Sequence, residues 1–430
     1  MLDNSILKYT LDKMQDKVDK CQCSVSQSSK YELNLDNGKI SLLRTTIDNH
    51  FNVTVIKDNK KGSIIINKTD EESVNNALEQ VLDICANSEV DEAFDISPYQ
   101  ENKEFVYGDT TPDLDKMYDL LDQYVKTIKS EYPTINLMDT AISFTLNTKY
   151  FMNSNGVSFK ESTGIYDFNS LFAAKEGTKS SSFNYSGFYL RKLEKDLLSY
   201  GSLKRVLKET TEQIETRGIE GKFKGDVILT PDCMSDFISG VVSVYLSDMP
   251  LISNTSLLKD KLNQQVASPL FTLHAAPRNE KIAQGYFITD DGFEAQDMTI
   301  FDKGVLKTFV LSQYGAKKTG LERSNNTGGC YIVDSGNTPI TEMIKSVKRG
   351  VLVNRVSGGH PNNNGDLSVV LKNSYYIEDG EIKFPLNETM MAMNFKEALE
   401  NITEISQEST DFGTAIYPYV KVKDVLISGK

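Results

Sequence analysis

The stretch GVLVNRVSGGHPNNNGDLSVVLKNSYYIEDGEIKFP, residues 350–385, decides the fold. Short runs rich in Val, Leu, Ile and Tyr alternate with turn-forming clusters, SGGHPNNNG at 357–365 and EDG at 378–380. β-Branched and aromatic residues suit a pleated, half-buried surface, whereas Gly, Asn and Asp tolerate the backbone conformations of tight turns. The same punctuation recurs at DDG (290–292), DKG (302–304), NNTGG (325–329) and DSGN (334–337). Dense turns between brief apolar runs predict a curled, mainly antiparallel sheet or a barrel-like arrangement over this half of the chain.

Working outward, the stretch that leads into this sheet is a buried strand, DVIL, followed by Thr-Pro-Asp and the apolar helical pattern PDCMSDFISGVVSVYLSDM. Pro231 falls at the first helical position, where its missing N–H costs nothing. A last helix is expected in NFKEALENITEIS (394–406). Before these elements lies GIEGKFKG (218–225), whose glycines and charges interrupt any core-forming pattern. It sets a boundary between an N-terminal domain, 1–217, and a C-terminal domain, 218–430. A chain of 430 residues exceeds the size at which one hydrophobic core keeps growing, which agrees with two domains.

The N-terminal domain reads as helices on a sheet. Ile6, Leu7, Leu11, Met14 and Val18 repeat at helical spacing, and Val74, Ala77, Leu78, Val81 and Cys85 do so after the capping candidate Thr69. A third helix has Leu114, Met117, Leu121, Tyr124 and Ile128 on one face and stops before Pro133. Between the first two, Cys21 to Asn67 alternates as three strands, turning at Asn37-Gly38 and Asp58-Asn59. Residues 86–113 show no period and read as a surface connection, 135–189 return to strands turning at Asn155-Gly156, and helical spacing resumes from Leu190 to Arg217. The fold class is therefore α+β.

Composition excludes several functions. A net charge of −13 repels phosphate backbones and anionic membranes, and no basic run stronger than KDNKK (57–61) offsets it, so nucleic acid is not an expected partner. No stretch supplies the ~20 apolar residues a membrane helix needs. Five scattered cysteines and no apolar leader in Met1–Asp12 point to a reducing cytoplasm.

Nor do motifs supply a reaction. His50, His274 and His360 lie far apart without metal-ligand spacing, and Cys21 and Cys23, two residues apart in a strand, share one face but lack further ligands. Ser357 and His360 share a glycine-rich loop, and Cys330 follows Gly328-Gly329, but neither pattern establishes a nucleophile beside a base. Asp290-Asp291-Gly292 lacks the remaining oxygens of a calcium loop and reads as a hairpin turn. The glycine-rich pieces carry no phosphate-binding Lys.

The order of longer blocks carries more. Tyr286–Gly320, SNNTGG (324–329), the stretch 350–406 and PYVKVKDVLISG (418–429) together closely resemble the TldD/PmbA family, also called modulators of DNA gyrase. The resemblance covers essentially all of Gly225 to Gly429. It implies two kinds of subunit that pair: a TldD-type chain with a zinc-binding His-Glu-x-x-x-His helix, and a PmbA-type (TldE) chain without it. The matching helix here, PDCMSDFISGVVSVYLSDM, contains no His and no Glu. Asp232, Asp236 and Asp248 do not replace two imidazoles at that spacing. The resemblance thus implies a PmbA-type member with no catalytic residue and no metal ligand of its own, with zinc only in a TldD-type partner.

Within the resemblance, Gly365, Asp366 and Ser368 match a Thr-Gly-Asp-Phe-Ser-like block near the family's substrate cleft, while Asn364 and Leu367 depart from it. Together with Gly358, Gly359 and His360 they form the candidate peptide-cleft loop; the other reading of this loop is a turn that only closes the sheet. His274, where the family often has an acid, is a further departure. The implied function is a non-catalytic subunit of a metallopeptidase complex in proteolysis or peptide maturation. The alternative is a stand-alone homodimeric peptide-binding module, and the family's name adds regulation of gyrase or DNA as a third.

Overall fold

The computed structural model describes residues 4–36, 38–387 and 389–429, and the expected turn residue Asn37 lies outside them. The N-terminal half is built on four long strands, β1 (Lys20–Asp36), β2 (Lys39–Lys57), β5 (Ile135–Asn153) and β6 (Ser158–Glu176). Shorter strands are β3 (Lys60–Ile66), β4 (Lys103–Gly108), β7 (Lys179–Ser180) and β8 (Asn184–Leu190). Their order is β3-β2-β1-β5-β6-β4, with β7 and β8 also on β6. The sheet is mixed because β4 runs parallel to β6 while its other ladders are antiparallel.

Alternation along β1 sends Cys21, Cys23 and Val25 to one face, where they meet Val53 and Val55 of β2 under α1 (Ser5–Met14) and α2 (Glu71–Asn87). Cys23 packs there and reaches the Leu7 carbonyl at 3.7 Å, and burial drives its thiol and that of Cys21 upward, the latter to about 12. These are core cysteines. A second core, with Phe144, Phe168, Phe172 and Phe188, fills the space under α3 (Leu114–Glu131) and α4 (Leu203–Glu212). Burying one such ring stabilises the fold by about 1.5–3 kcal/mol.

The C-terminal half has thirteen strands among the described residues. They are β9 (Lys222–Leu229), β10 (Leu273–Ala275), β11 (Met298–Asp302), β12 (Val305–Leu306), β13 (Tyr331–Val333), β14 (Arg349–Val353) and β15 (Arg355–Ser357). There follow β16 (Asp366–Lys372), β17 (Tyr375–Glu378), β18 (Glu381–Pro385), β19 (Met390–Asn394), β20 (Ile402–Asp411) and β21 (Ile416–Ser428). The main path is β12-β11-β10-β13-β21-β9-β14-β17-β18, with β20, β19, β16 and β15 branching from β21. The sheet is mainly antiparallel and curled, but it does not close, so the barrel-like arrangement gives way to an open one.

Helix α5 (Pro231–Val241) follows β9 and buries Cys233, Met234, Phe237, Ile238 and Val241. It then loosens into a π-helical turn at Val242–Leu246, and Asp248–Ile252 (α6) is a separate short helix. Short helices α7 (Gln313–Thr319), α8 (Ile340–Lys345) and α9 (Phe395–Glu400) complete this half.

Three expected elements differ. Helical structure between Leu190 and Arg217 is confined to Leu203–Glu212 and a 3-10 turn at Leu197–Ser199, the second helix is capped by Asp70 rather than Thr69, and the expected helix 394–406 ends at Glu400, after which β20 begins. Residues 86–113 are also not wholly a surface connection: they contain β4 and bury Ile96 and Ser97.

Candidate functional site

The 357–366 loop is fastened by its own polar side chains. Asn362 accepts the backbone N–H groups of Asn364 and Asp366, each at 2.9 Å, and donates to an Asp366 carboxylate oxygen at 3.0 Å. Asn394, at the end of β19, donates to the other oxygen at 2.8 Å and to the Asn364 carbonyl at 3.0 Å. The Tyr245 hydroxyl donates to that same carbonyl at 2.7 Å. Hydrogen bonds from Asn394 and Asn362 hold the Asp366 carboxyl below the usual carboxylate range.

Gly358, Gly359 and Gly365 all adopt positive φ, which lets the chain double back without a Cβ penalty. Of the six predicted loop residues, His360, Asp366 and Ser368 border a cleft of about 590 Å³ between β16, β19, α9 and a bulge in β21, whereas the three glycines shape the backbone behind it. Lys224, Lys423, Asp366, Glu397 and Asp424 all line the cleft, so its walls carry both signs of charge.

The second site lies at the N-terminus of α5, in a cavity of about 230 Å³ bordered by Tyr185, Asp232, Ser235, Asp236, Arg355 and Tyr417 among others. The sequence reading weighed Asp232 here only as a substitute metal ligand and missed its surroundings. Asp232 is almost fully buried, accepts from Ser202 Oγ at 2.6 Å, pairs with Arg205, and has Arg355 at 3.5 Å. Arg205 also pairs with Glu209 at 2.7 Å, and Asn354 bridges both of them.

Burial works against the Arg205 guanidinium, yet Asp232 and Glu209 hold it above its usual range; burial pushes the Glu209 carboxyl up. Arg355 stacks on Tyr185 with its guanidinium carbon 3.5 Å from the ring centroid and donates to Asn184 at 2.8 Å, tying β15 to β8. The sequence signal was the pair Asn354-Arg355 inside an otherwise apolar strand run. A charge there needs a buried partner.

The remaining candidates fall elsewhere. His274 on β10 shares hydrogen bonds with Thr299 at 3.0 Å and Asp334 at 3.2 Å, and His50 lies opposite Ser26 in the N-terminal sheet. Cys330 has its thiol pushed up to about 12 by burial, the opposite of an activated nucleophile. Asp291 does sit in a turn, between the bridged residues Ile288 and Glu294, and is held there by Arg323.

A family model described as PmbA/TldA metallopeptidase C-terminal domain matches residues 222–429, and one described as PmbA/TldA metallopeptidase domain 1 matches 21–85. The chain belongs to the PmbA/TldD family. It is 22% identical over 387 residues to the metalloprotease PmbA homolog of Haemophilus influenzae, covering 86% of this chain and 83% of that one. The metalloprotease PmbA of Escherichia coli O157:H7 is 22% identical over 433 residues, covering 94% and 92%. The crystal structure of TldE from Thermococcus kodakarensis superposes with a TM-score of 0.85 at 20% identity, covering 99% of this chain and all of that one.

A metallopeptidase family raises the question of a zinc ion, which needs about three converging N, S or O ligands. The residues at α5 do not fit one. Asp232 spends its oxygens on Ser202, Arg205 and Arg355, Cys233 points into the core, and the remaining carboxylate, Asp236, shares its cavity with the guanidinium of Arg355. Among the described residues no other group of three His, Cys, Asp or Glu converges as a metal site.

Proposed function

We propose that this chain is a PmbA-type subunit of a metallopeptidase complex, non-catalytic itself, which shapes the peptide cleft for a TldD-type zinc partner in proteolysis or peptide maturation. The observation that carries the reading is the ion cluster at α5. Where a zinc helix would present imidazoles, this helix presents an aspartate neutralised by two arginines, which supports a structural rather than a metal-binding role.

The loop-bordered cleft supports the peptide part. Walls of both charge signs, with Leu367 and Met393 between them, suit an extended segment of mixed side chains, and strand backbone at the cleft edge could supply main-chain hydrogen bonds. His360, Asp366 and Ser368 would meet the peptide, and Gly358, Gly359 and Gly365 would set the loop's path. The compartment in this reading is the cytoplasm, in keeping with five unpaired cysteines; among the described residues no helix is long and apolar enough to cross a membrane.

The test is co-expression with a TldD-type chain, followed by co-purification, metal analysis and cleavage of unstructured peptides. The reading expects cleavage and stoichiometric zinc only in the mixed sample. Peptide cleavage with stoichiometric zinc in this chain alone would defeat it.

A further inference from the structure

His274 on β10 stands in the middle of a chain of side-chain hydrogen bonds. The Thr299 hydroxyl of β11 lies 3.0 Å from its Nδ1, and an oxygen of Asp334, the residue after β13, lies 3.2 Å from its Nε2. An ionised carboxylate only accepts, so Asp334 draws the proton of the neutral imidazole to Nε2 and leaves the Nδ1 lone pair to the Thr299 O–H. A regular ladder would not make this contact. Leu273 opposes Phe301, so His274 in register would oppose Ile300, a fully buried side chain. A bulge slips the partner by one residue and presents Thr299 instead. Such bulges re-aim side chains and recur next to active sites. Thr299, His274 and Asp334 all border one cavity of about 640 Å³. Lys281 and Lys307 line it too, and the Lys307 backbone N–H is anchored on the bulged Ile300 carbonyl at 2.8 Å.

We propose that this cavity is an ester-hydrolysing site, with Thr299 as nucleophile, His274 as general base and Asp334 as the positioning residue that fixes the imidazole tautomer. A hydroxyl within hydrogen-bond reach of a base, itself oriented by a third group, is the arrangement that activates an alcohol. Thr299 Oγ1 attacks the ester carbonyl carbon as its proton passes to Nδ1. The C–O bond to the leaving alkoxide then breaks, and the alkoxide takes that proton from the imidazolium. Water attacks the acyl-threonine with Nδ1 again as base, the C–Oγ1 bond breaks, and the threonine oxygen regains the proton. The net change is ester plus water to acid plus alcohol. Lys281 and Lys307 supply positive charge for the developing oxyanion. Asp297 and Glu322 on the same walls balance that charge, which suits a small ester with an uncharged acyl group. The inference concerns neither peptide bonds nor zinc and does not rest on the subunit reading.

The test is hydrolysis of p-nitrophenyl acetate by the purified full chain with a chelator present. Release of p-nitrophenolate should exceed the buffer rate, and peptide mapping of acid-quenched protein should find an acetyl group on Thr299. Thr299→Val should lose that adduct, while Thr299→Ser should keep the activity and carry the acetyl group on the new hydroxyl. His274→Gln should lower kcat by about 10²–10⁴-fold, the usual contribution of a general base. Asp334→Asn should lower kcat with KM unchanged. Release no faster than buffer, acetylation of lysines alone, or full activity in Thr299→Val or His274→Gln would each overturn the proposal. If Thr299→Val fails to fold, the adduct in the wild-type chain and the rate of His274→Gln still decide it.

Discussion

Gly365 has φ +87°, and a Cβ built on it would stand 1.9 Å from the Tyr245 hydroxyl. Both the backbone and the neighbour therefore reject a side chain, so Gly365→Ala should destabilise by about 1–3 kcal/mol and free the 357–366 loop. Hydrogen exchange of that loop, alongside a thermal melt, checks it; unchanged protection would show that the loop does not depend on this contact. Asp291 offers a pH test. Burial pushes its carboxyl up, but bidentate hydrogen bonding and charge from Arg323 outweigh this and leave it below the usual range. A depressed folded pKa contributes stability above the unfolded value of about 3.9, and that stability is lost as pH falls through the folded value. Asp291→Asn should thus lower stability by about 3 kcal/mol at pH 7 and by progressively less below pH 4, measured by denaturant melts across pH. The sequence disclosed the loop's turn residues but not its hub, because Asp366 is held by Asn394, 28 positions away, and Asn364 by Tyr245, 119 positions away.

Elements with a strong period of their own were legible, and elements made by their neighbours were not. Helices α2 and α3 carry continuous apolar faces and appear where the spacing predicts them, while α5 starts at Pro231 as expected but gives way to a π-helical turn after Val241. The strand β4, by contrast, has an exposed-rich pattern and exists because β6 offers it a parallel edge. Likewise the residues after Glu400 join a ladder with β21 in place of extending α9. The candidate site was half legible for the same reason: α5 could be read, but Arg205 comes from α4 in the other half of the chain and Arg355 from β15. That cluster clamps α4 and β15 against the start of α5. Asp232→Ala would leave two guanidinium groups without their shared anion and should cost about 3–5 kcal/mol. Arg205→Met at the same site should cost less than removing Asp232, because Arg355 remains to pair with the aspartate. Equal losses in chemical denaturation would show that the cluster does not act through Asp232.

At the scale of the whole molecule, charge and shape set what the surface meets. The chain carries 60 acidic and 47 basic residues, and many of the basic ones are already engaged: Lys317 pairs with Asp95, Lys318 with Asp91, Lys103 with Glu294 and Lys20 with Asp95. Three of these four pairs join the segment 91–103 to the C-terminal half, so they serve the seam between the two sheets and do not assemble into a free basic face. Duplex binding requires lysines and arginines to replace the counterions condensed on phosphates, and each phosphate neutralised steepens the dependence on salt. A chain with these cations committed internally and an excess of thirteen negative charges has little to replace them with. Anisotropy titration of a fluorescent duplex with the purified chain should therefore show no saturable binding at about 150 mM salt, and lowering the salt should not recover it in the steep manner of a phosphate-contacting protein. A saturable isotherm with a large negative salt slope would mean that a basic surface forms in solution, and would return the DNA-directed reading of this family to consideration.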